Sequence, residues 1–185
     1  MTLELTLEVA LKTKEELAEK IKKGTVFIYP TDTVYGLGCD ATSPHAVQCI
    51  RNIKGSKHPL SVIVPSLGWL KQNLVVQHEE FLKRLPGECT FIFKKKDPEA
   101  MPWLSKNGRL GIRIPMHPFT KIIQSSGRPF VTTSLNLAGK PVITELKDLT
   151  KKMVESVDVI IDDGVLDNPP SEIFDLSSRF VKKLR

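Results

Sequence analysis

The feature that most constrains this chain is the way β-type and helix-type segments interleave along it. Val26–Tyr29 reads as a buried strand that stops at Pro30. Ser43-Pro44 then supplies an N-cap and a first-turn proline, and Gly55 ends the helix through Lys54. Ser61–Val64, Thr90–Lys94, Leu110–Ile114 and Phe130–Thr133 read as strands, and His117–Ser126 as a helix closed by Gly127. Helices are also expected near Leu67–Asn73, His78–Leu85 and Glu145–Ser156, the last capped by Thr144. Val157–Ile161, Ile173–Leu176 and Phe180–Leu184 complete the strands. At the start, Leu3, Leu5, Leu7 and Val9 alternate with polar residues, which predicts a half-buried strand. Thr13 and Glu16 form a capping box for a helix Lys14–Lys23. Asp97–Asn107 is the longest irregular stretch. No segment type runs uninterrupted, so the expected class is α/β: one open, twisted, mixed sheet flanked by helices, with residues 1–185 as a single domain.

Composition excludes several alternatives. With 41% hydrophobic and 26% charged residues, a 185-residue chain buries enough surface to fold without disulfide or metal staples. No apolar run approaches the ~20 residues of a membrane span. The first residues are acidic early and lack the basic start of a secretory leader, so no membrane association and a cytoplasmic location are expected. Cys39, Cys49 and Cys89 form no Cys-x-x-Cys, and His45, His58, His78 and His117 do not pair with them at metal-ligand spacing. The thiols are expected as small core groups and no protein-bound metal is predicted. The balance of 27 Lys plus Arg against 21 Asp plus Glu gives +6, which favours anionic partners.

Open α/β sheets bind ligands in the loops that follow their strands. After Val26–Tyr29 comes Pro30-Thr31-Asp32-Thr33-Val34-Tyr35-Gly36-Leu37-Gly38, which offers hydroxyls, a carboxylate, a phenol and glycines that admit close approach. The plain alternative is a turn whose Thr and Asp serve their own backbone. After Phe130–Thr133 comes Ser134-Leu135-Asn136-Leu137-Ala138-Gly139, in which Ser134 and Asn136 share a side of an extended segment. Lys54 leads into Gly55-Ser56-Lys57-His58, which suits a phosphate or simply a basic helix end. Arg113 sits in an otherwise apolar strand and needs an anion, whether a ligand or a structural partner. Phosphate-loop, dinucleotide-binding, serine-hydrolase and zinc-protease motifs are absent from the sequence.

Taken together, these segments resemble the YrdC/TsaC family of threonylcarbamoyl-AMP synthases. The most specific piece is Tyr29-Pro30-Thr31-Asp32-Thr33-Val34-Tyr35-Gly36-Leu37-Gly38. Ile53-Lys54, Pro59-Leu60-Ser61-Val62, Pro86-Gly87 with Thr90-Phe91-Ile92, Gly111-Ile112-Arg113-Ile114-Pro115, Thr133-Ser134-Leu135-Asn136, Pro170-Ser171 and Asp175-Leu176 follow in the family's order. The resemblance implies a YrdC-like fold with a basic concave cavity, in the short form without an extra C-terminal domain. It implies synthesis of threonylcarbamoyl-AMP from L-threonine, bicarbonate and ATP, with Mg²⁺ accompanying the ATP and pyrophosphate as leaving group. The product would feed a separate transferase complex that makes t6A in tRNA. By motif position, Thr33, Arg113, Thr132 and Ser171 would hold threonine, Arg113 taking its carboxylate bidentately. Lys54, Ser56, His58, Ser134, Asn136 and Arg185 would meet ATP, with Lys54 as the catalytic cation. Thr31 and Tyr35 would shape the cavity floor.

Three positions depart from the family pattern. Ser56 stands where a Lys-x-Arg motif has Arg, with Pro59-Leu60 about two residues early, and Lys57 or Arg51 are the nearby substitutes. Ile63 stands near a place where some members carry His. Glu172 follows Ser171 where Thr is usual. A second expectation is therefore a diverged family member with weak or no synthase activity that binds nucleotide or RNA, either tRNA or double-stranded RNA, by phosphate contacts. A third is a carbamoyl-transfer relative of the same fold.

Overall fold

The computed structural model describes residues 2–137 and 139–185; Ala138 of the Ser134–Gly139 segment lies outside the described residues. In chain order the elements are β1 (Leu3–Thr6), α1 (Leu7–Lys12), α2 (Lys14–Lys22), β2 (Phe27–Tyr29), β3 (Gly36–Gly38), α3 (Pro44–Lys54), β4 (Ser61–Ile63), α4 (Leu67–Asn73) and β5 (Leu74–Val75). They continue with β6 (Cys89–Lys95), β7 (Arg109–Arg113), α5 (Phe119–Ser125), β8 (Phe130–Ser134), α6 (Lys151–Glu155), β9 (Val159–Asp162), β10 (Glu172–Asp175) and β11 (Lys182–Lys183).

The strands form one mixed sheet in the order β1-β9-β2-β3-β8-β4-β7-β6-β10-β11, with β5 on the side of β6. β9 runs parallel to β1 and β2, and β7 parallel to β4, whereas β8 is antiparallel to both β3 and β4. Alternation along each strand sends side chains to two separate cores. On one face Phe27, Tyr29, Ile63, Phe130, Val159 and Ile161 pack under Leu17 and Ile21 of α2 and Phe119, Ile122 and Ile123 of α5. On the other, Ile28, Leu37, Val62, Val131 and Ile160 meet Ala46, Val47 and Ile50 of α3. Ile63 is fully buried in the first core, which explains an apolar residue there. Cys39 and Cys89 are buried, Cys49 is half-buried, and all three are free.

Ser43 caps α3 by accepting from the Ala46 N–H, with Pro44 in the first turn, and Gly55 ends it at φ +61°, in the left-handed region. Gly38 is required for a different reason: a Cβ there would lie 2.2 Å from the Phe130 ring and 2.3 Å from the Val131 carbonyl oxygen.

Local structure departs from the sequence pattern at several places, among them the expected helix His78–Leu85, which is a 3₁₀ helix over Glu79–Arg84. The expected strand Leu3–Val9 ends at Thr6, whose hydroxyl caps α1 (Leu7–Lys12), the helix that buries Ala10. The alternation of Leu7 and Val9 lost to helix capping and to burial of Ala10 beneath α5. Thr13 does not close a capping box; its hydroxyl bonds the Val9 carbonyl instead. The expected helix Glu145–Ser156 is split into a 3₁₀ turn at Leu146–Asp148 and α6, because Thr150 caps a new start by accepting from Met153 N–H. β11 is also shorter than the predicted Phe180–Leu184.

Candidate functional site

Strand register places the site. Thr90 of β6 lies opposite Arg113 of β7, and Ser61 of β4 lies opposite both Gly111 of β7 and Thr132 of β8. These side chains emerge on the face that carries Ile63 and Phe130, beyond the area that α2 and α5 cover. A cavity of about 630 Å³ opens there. Arg51 and Lys54 from the end of α3, Arg113, Arg185 and His58 reach its wall, and no Asp or Glu is among its lining residues.

The threonine end, as the family resemblance assigned it, is built from the strand residues Arg113 and Thr132 and from Thr33 and Ser171, which lie just outside strands. The Arg113 Nη2 donates to Asp32 Oδ1 (2.6 Å) and to Thr33 Oγ1 (2.7 Å). Asp32 is anchored in turn: its Oδ2 accepts from Met116 N–H (2.8 Å), and its carbonyl accepts from the Asn168 amide (3.0 Å). Arg113 and Asp32 side chains are only 13% and 10% exposed. Thr132 is oriented by the buried Tyr29 hydroxyl, which donates to its Oγ1 at 2.6 Å. Burial pushes the Tyr29 phenol well above its ordinary range, so it remains a donor. Ser171 is buried with its hydroxyl 3.1 Å from that of Thr90. Glu172 turns to the opposite side of β10 and pairs with Arg84 (2.6 Å) and with Lys183, so its acid does not enter the cavity.

The other end is built on the last turns of α3, the end of β8 and the loops that follow them. Lys54 Nζ donates to the Ser134 carbonyl (2.7 Å) and to Asn136 Oδ1 (2.9 Å), with the Asn136 carbonyl at 3.4 Å. The Ser134 hydroxyl donates to the same Asn136 Oδ1 at 2.7 Å. Burial lowers the Lys54 ammonium from its ordinary value to about 8. Arg51, one turn earlier on α3, spends its guanidinium on main-chain carbonyls: Trp103 (2.6 Å to Nη2), Leu104 (3.2 Å) and His58 (3.0 Å), with Ser56 at 3.4 Å. It ties the short Ser56–His58 loop to the Trp103–Leu104 turn. Ser56 and His58 line the cavity, while Lys57 is exposed and outside it. Arg185 Nε donates to the Ser171 carbonyl at 3.0 Å and closes the rim.

Thr31 and Tyr35 do not form the cavity floor expected of them. Thr31 sits one layer behind: its hydroxyl accepts from the Thr33 and Val34 N–H groups (3.1 and 3.3 Å) and donates to the Val34 carbonyl (2.6 Å). Tyr35 points to the opposite face, where its hydroxyl donates to the Gly164 carbonyl (2.7 Å) and accepts from Asp163 N–H (3.0 Å). Its pKa is pushed up to about 12 by burial. Alternation alone would put Thr33 and Tyr35 on one side; the bend through residues 32–34 sends them different ways. Thr33, Arg113, Thr132, Ser171, Lys54, Ser56, His58, Ser134, Asn136 and Arg185 all reach the one cavity. Sequence reasoning passed over Ser61, Thr90, Asn168 and the clamp made by Arg51. Strand alternation in register with Arg113 carries the signal for Ser61 and Thr90, whereas nothing local marks Asn168.

A family model described as "Telomere recombination", for the Sua5, YciO and YrdC proteins, matches residues 19–185. A threonylcarbamoyl-AMP synthase of Stenotrophomonas maltophilia is 30% identical over 169 residues, covering 86% of this chain and 87% of its own length. The crystal structure of Pyrococcus abyssi Sua5 complexed with L-threonine superposes with a TM-score of 0.86 at 26% identity; it covers all of this chain, which spans 57% of it. The Escherichia coli YciO crystal structure superposes at 0.83 with 25% identity, over all of this chain and 93% of that one.

Proposed function

This chain belongs to the Sua5/YciO/YrdC family, and on that premise we propose that it makes threonylcarbamoyl-AMP from L-threonine, bicarbonate and ATP. The observation that carries the reading is one cavity whose wall, among the described residues, holds Arg51, Lys54, Arg113 and Arg185 and no Asp or Glu side chain. Such a wall suits two anionic reactants held side by side.

The chemistry asks for positioning more than for covalent work. Threonine and bicarbonate give a carbamate with loss of water. A carbamate oxygen attacks the α-phosphorus of ATP, the bond to the bridging oxygen breaks, and pyrophosphate leaves with that electron pair. Arg113 and the Thr33 hydroxyl meet the threonine carboxylate, with Thr132 and Ser171 presenting hydroxyls beside it. Because Tyr29 donates to Thr132, the Thr132 hydroxyl proton is left to point at a ligand oxygen. Lys54, Ser134 and Asn136 meet the nucleotide, Lys54 as the cation that balances charge on the transferring phosphate. Ser56, His58 and Arg185 stand at the rim toward the same nucleotide. Mg²⁺ would enter with ATP as part of the substrate, facing a wall of hydroxyls and amides. The product is a mixed anhydride that a separate transferase would pass to tRNA as t6A, in the cytoplasm.

The test is product identification. Protein incubated with Mg·ATP, L-threonine and ¹³C-bicarbonate is expected to yield threonylcarbamoyl-AMP carrying one ¹³C by mass spectrometry. AMP or ADP without the labelled adduct would contradict the reading.

A further inference from the structure

Arg113 is already engaged in the ligand-free molecule. Both hydrogens of Nη2 have protein acceptors, one on Asp32 and one on Thr33. A carboxylate grips a guanidinium with two parallel bonds either through Nε and Nη2 or through Nη1 and Nη2. Each grip uses Nη2. The bidentate capture expected from the sequence therefore requires one of the two acceptors to yield. Thr33 can yield, because a hydroxyl that stops accepting can turn and donate to the incoming carboxylate. Asp32 cannot. Its second oxygen is fixed by Met116 N–H, its carbonyl by Asn168, and its side chain is almost wholly buried. Asp32 is not in the cavity wall, so it has no route to the ligand except through Arg113.

A second observation agrees. Arg113 Nε is buried without a hydrogen-bond partner. A guanidinium free to turn would not leave that N–H bare, since an unmet buried donor is costly. Something holds the plane against that cost, and the Asp32 contact at 2.6 Å is the tether in place.

We propose that Asp32 is a positioning residue that fixes the Arg113 guanidinium in the one orientation able to take the substrate carboxylate. This deepens the functional reading above and rests on it.

The test is threonine binding by calorimetry on the full chain, paired with ATP kinetics. Asp32→Asn is expected to weaken threonine binding about tenfold or more, some 1.4 kcal/mol. The KM for ATP is expected to change less than about twofold, because Lys54 and its partners are untouched. A purely structural defect would move both. The same substitution is then made in an Arg113→Lys background, where no guanidinium plane remains. If Asp32 acts through Arg113, the second change adds less than about twofold there. Additive losses, or equal losses for threonine and ATP, overturn the proposal while leaving the functional reading intact. Wild-type protein that binds no threonine overturns both. Should Asp32→Asn fail to fold, Asp32→Glu, which keeps the charge, carries the same cycle and is expected to show an intermediate loss.

Discussion

The two ends of the cavity solve the same problem in different ways. At the Arg113 end the cation sits on a strand and is neutralised by a buried carboxylate. At the Lys54 end, Lys54 and Arg51 sit on the last turns of a helix and are bonded only to carbonyl and amide oxygens of loops. Carbonyl dipoles stabilise a cation without cancelling its charge. The first end therefore offers geometry, and the second offers net positive potential. That division suits a small carboxylate that must be oriented and a polyphosphate that must be neutralised.

The contrast ranks the expected effects of substitution. Arg113→Ala should be the most damaging, because it removes the carboxylate partner and strands Asp32. We expect a loss of roughly 100- to 1000-fold in kcat/KM for threonine. Breaking a buried pair from one side costs about 3 kcal/mol or more, which lowers Tm by roughly 6–12 °C for a chain of this size. Steady-state kinetics and a thermal melt check both. Lys54→Ala should cost about 100-fold in kcat/KM for ATP and leave calorimetric threonine binding in place. Equal damage to both substrates would erase the distinction between the two ends.

The pH profile sharpens the same comparison. Lys54 loses its charge as pH rises through about 8, so kcat/KM for ATP should be flat below that value and fall about tenfold per unit above it. Lys54→Arg should remove that limb, since a guanidinium keeps its proton. Threonine binding should show no such limb at 8. Arg51→Lys is a smaller break: an ammonium cannot span four carbonyls, so about 1–2 kcal/mol of stability and a few-fold in KM for ATP should be lost. Ser56→Arg should be smallest. It adds a rim charge to a loop already held by Arg51, and an exposed charge contributes about 0.2–1 kcal/mol, under about fivefold in KM.

Arg113 was legible in the sequence because a charge in an otherwise apolar strand needs an anion, a local rule that survives folding. Thr33 and Thr132 were legible only through the family resemblance. The failures came where tertiary packing chose between two allowed patterns. Leu7 and Val9 fit a strand as well as a helix until Ala10 is buried beneath α5. Tyr35 carries a phenol suited to a site, yet the turn at Val34 sends it to the other face and to Gly164. Arg51 was visible only as a nearby cation. Its use on the carbonyls of Trp103 and Leu104 depends on residues some fifty positions away, which no local pattern records.

The most direct measurement is pyrophosphate release from Mg·ATP in the presence of bicarbonate, with and without L-threonine. The account predicts release that requires threonine, is lost in Arg113→Ala and Lys54→Ala, and leaves Arg51→Lys active. Release that ignores threonine, or none from folded wild-type protein, would contradict it.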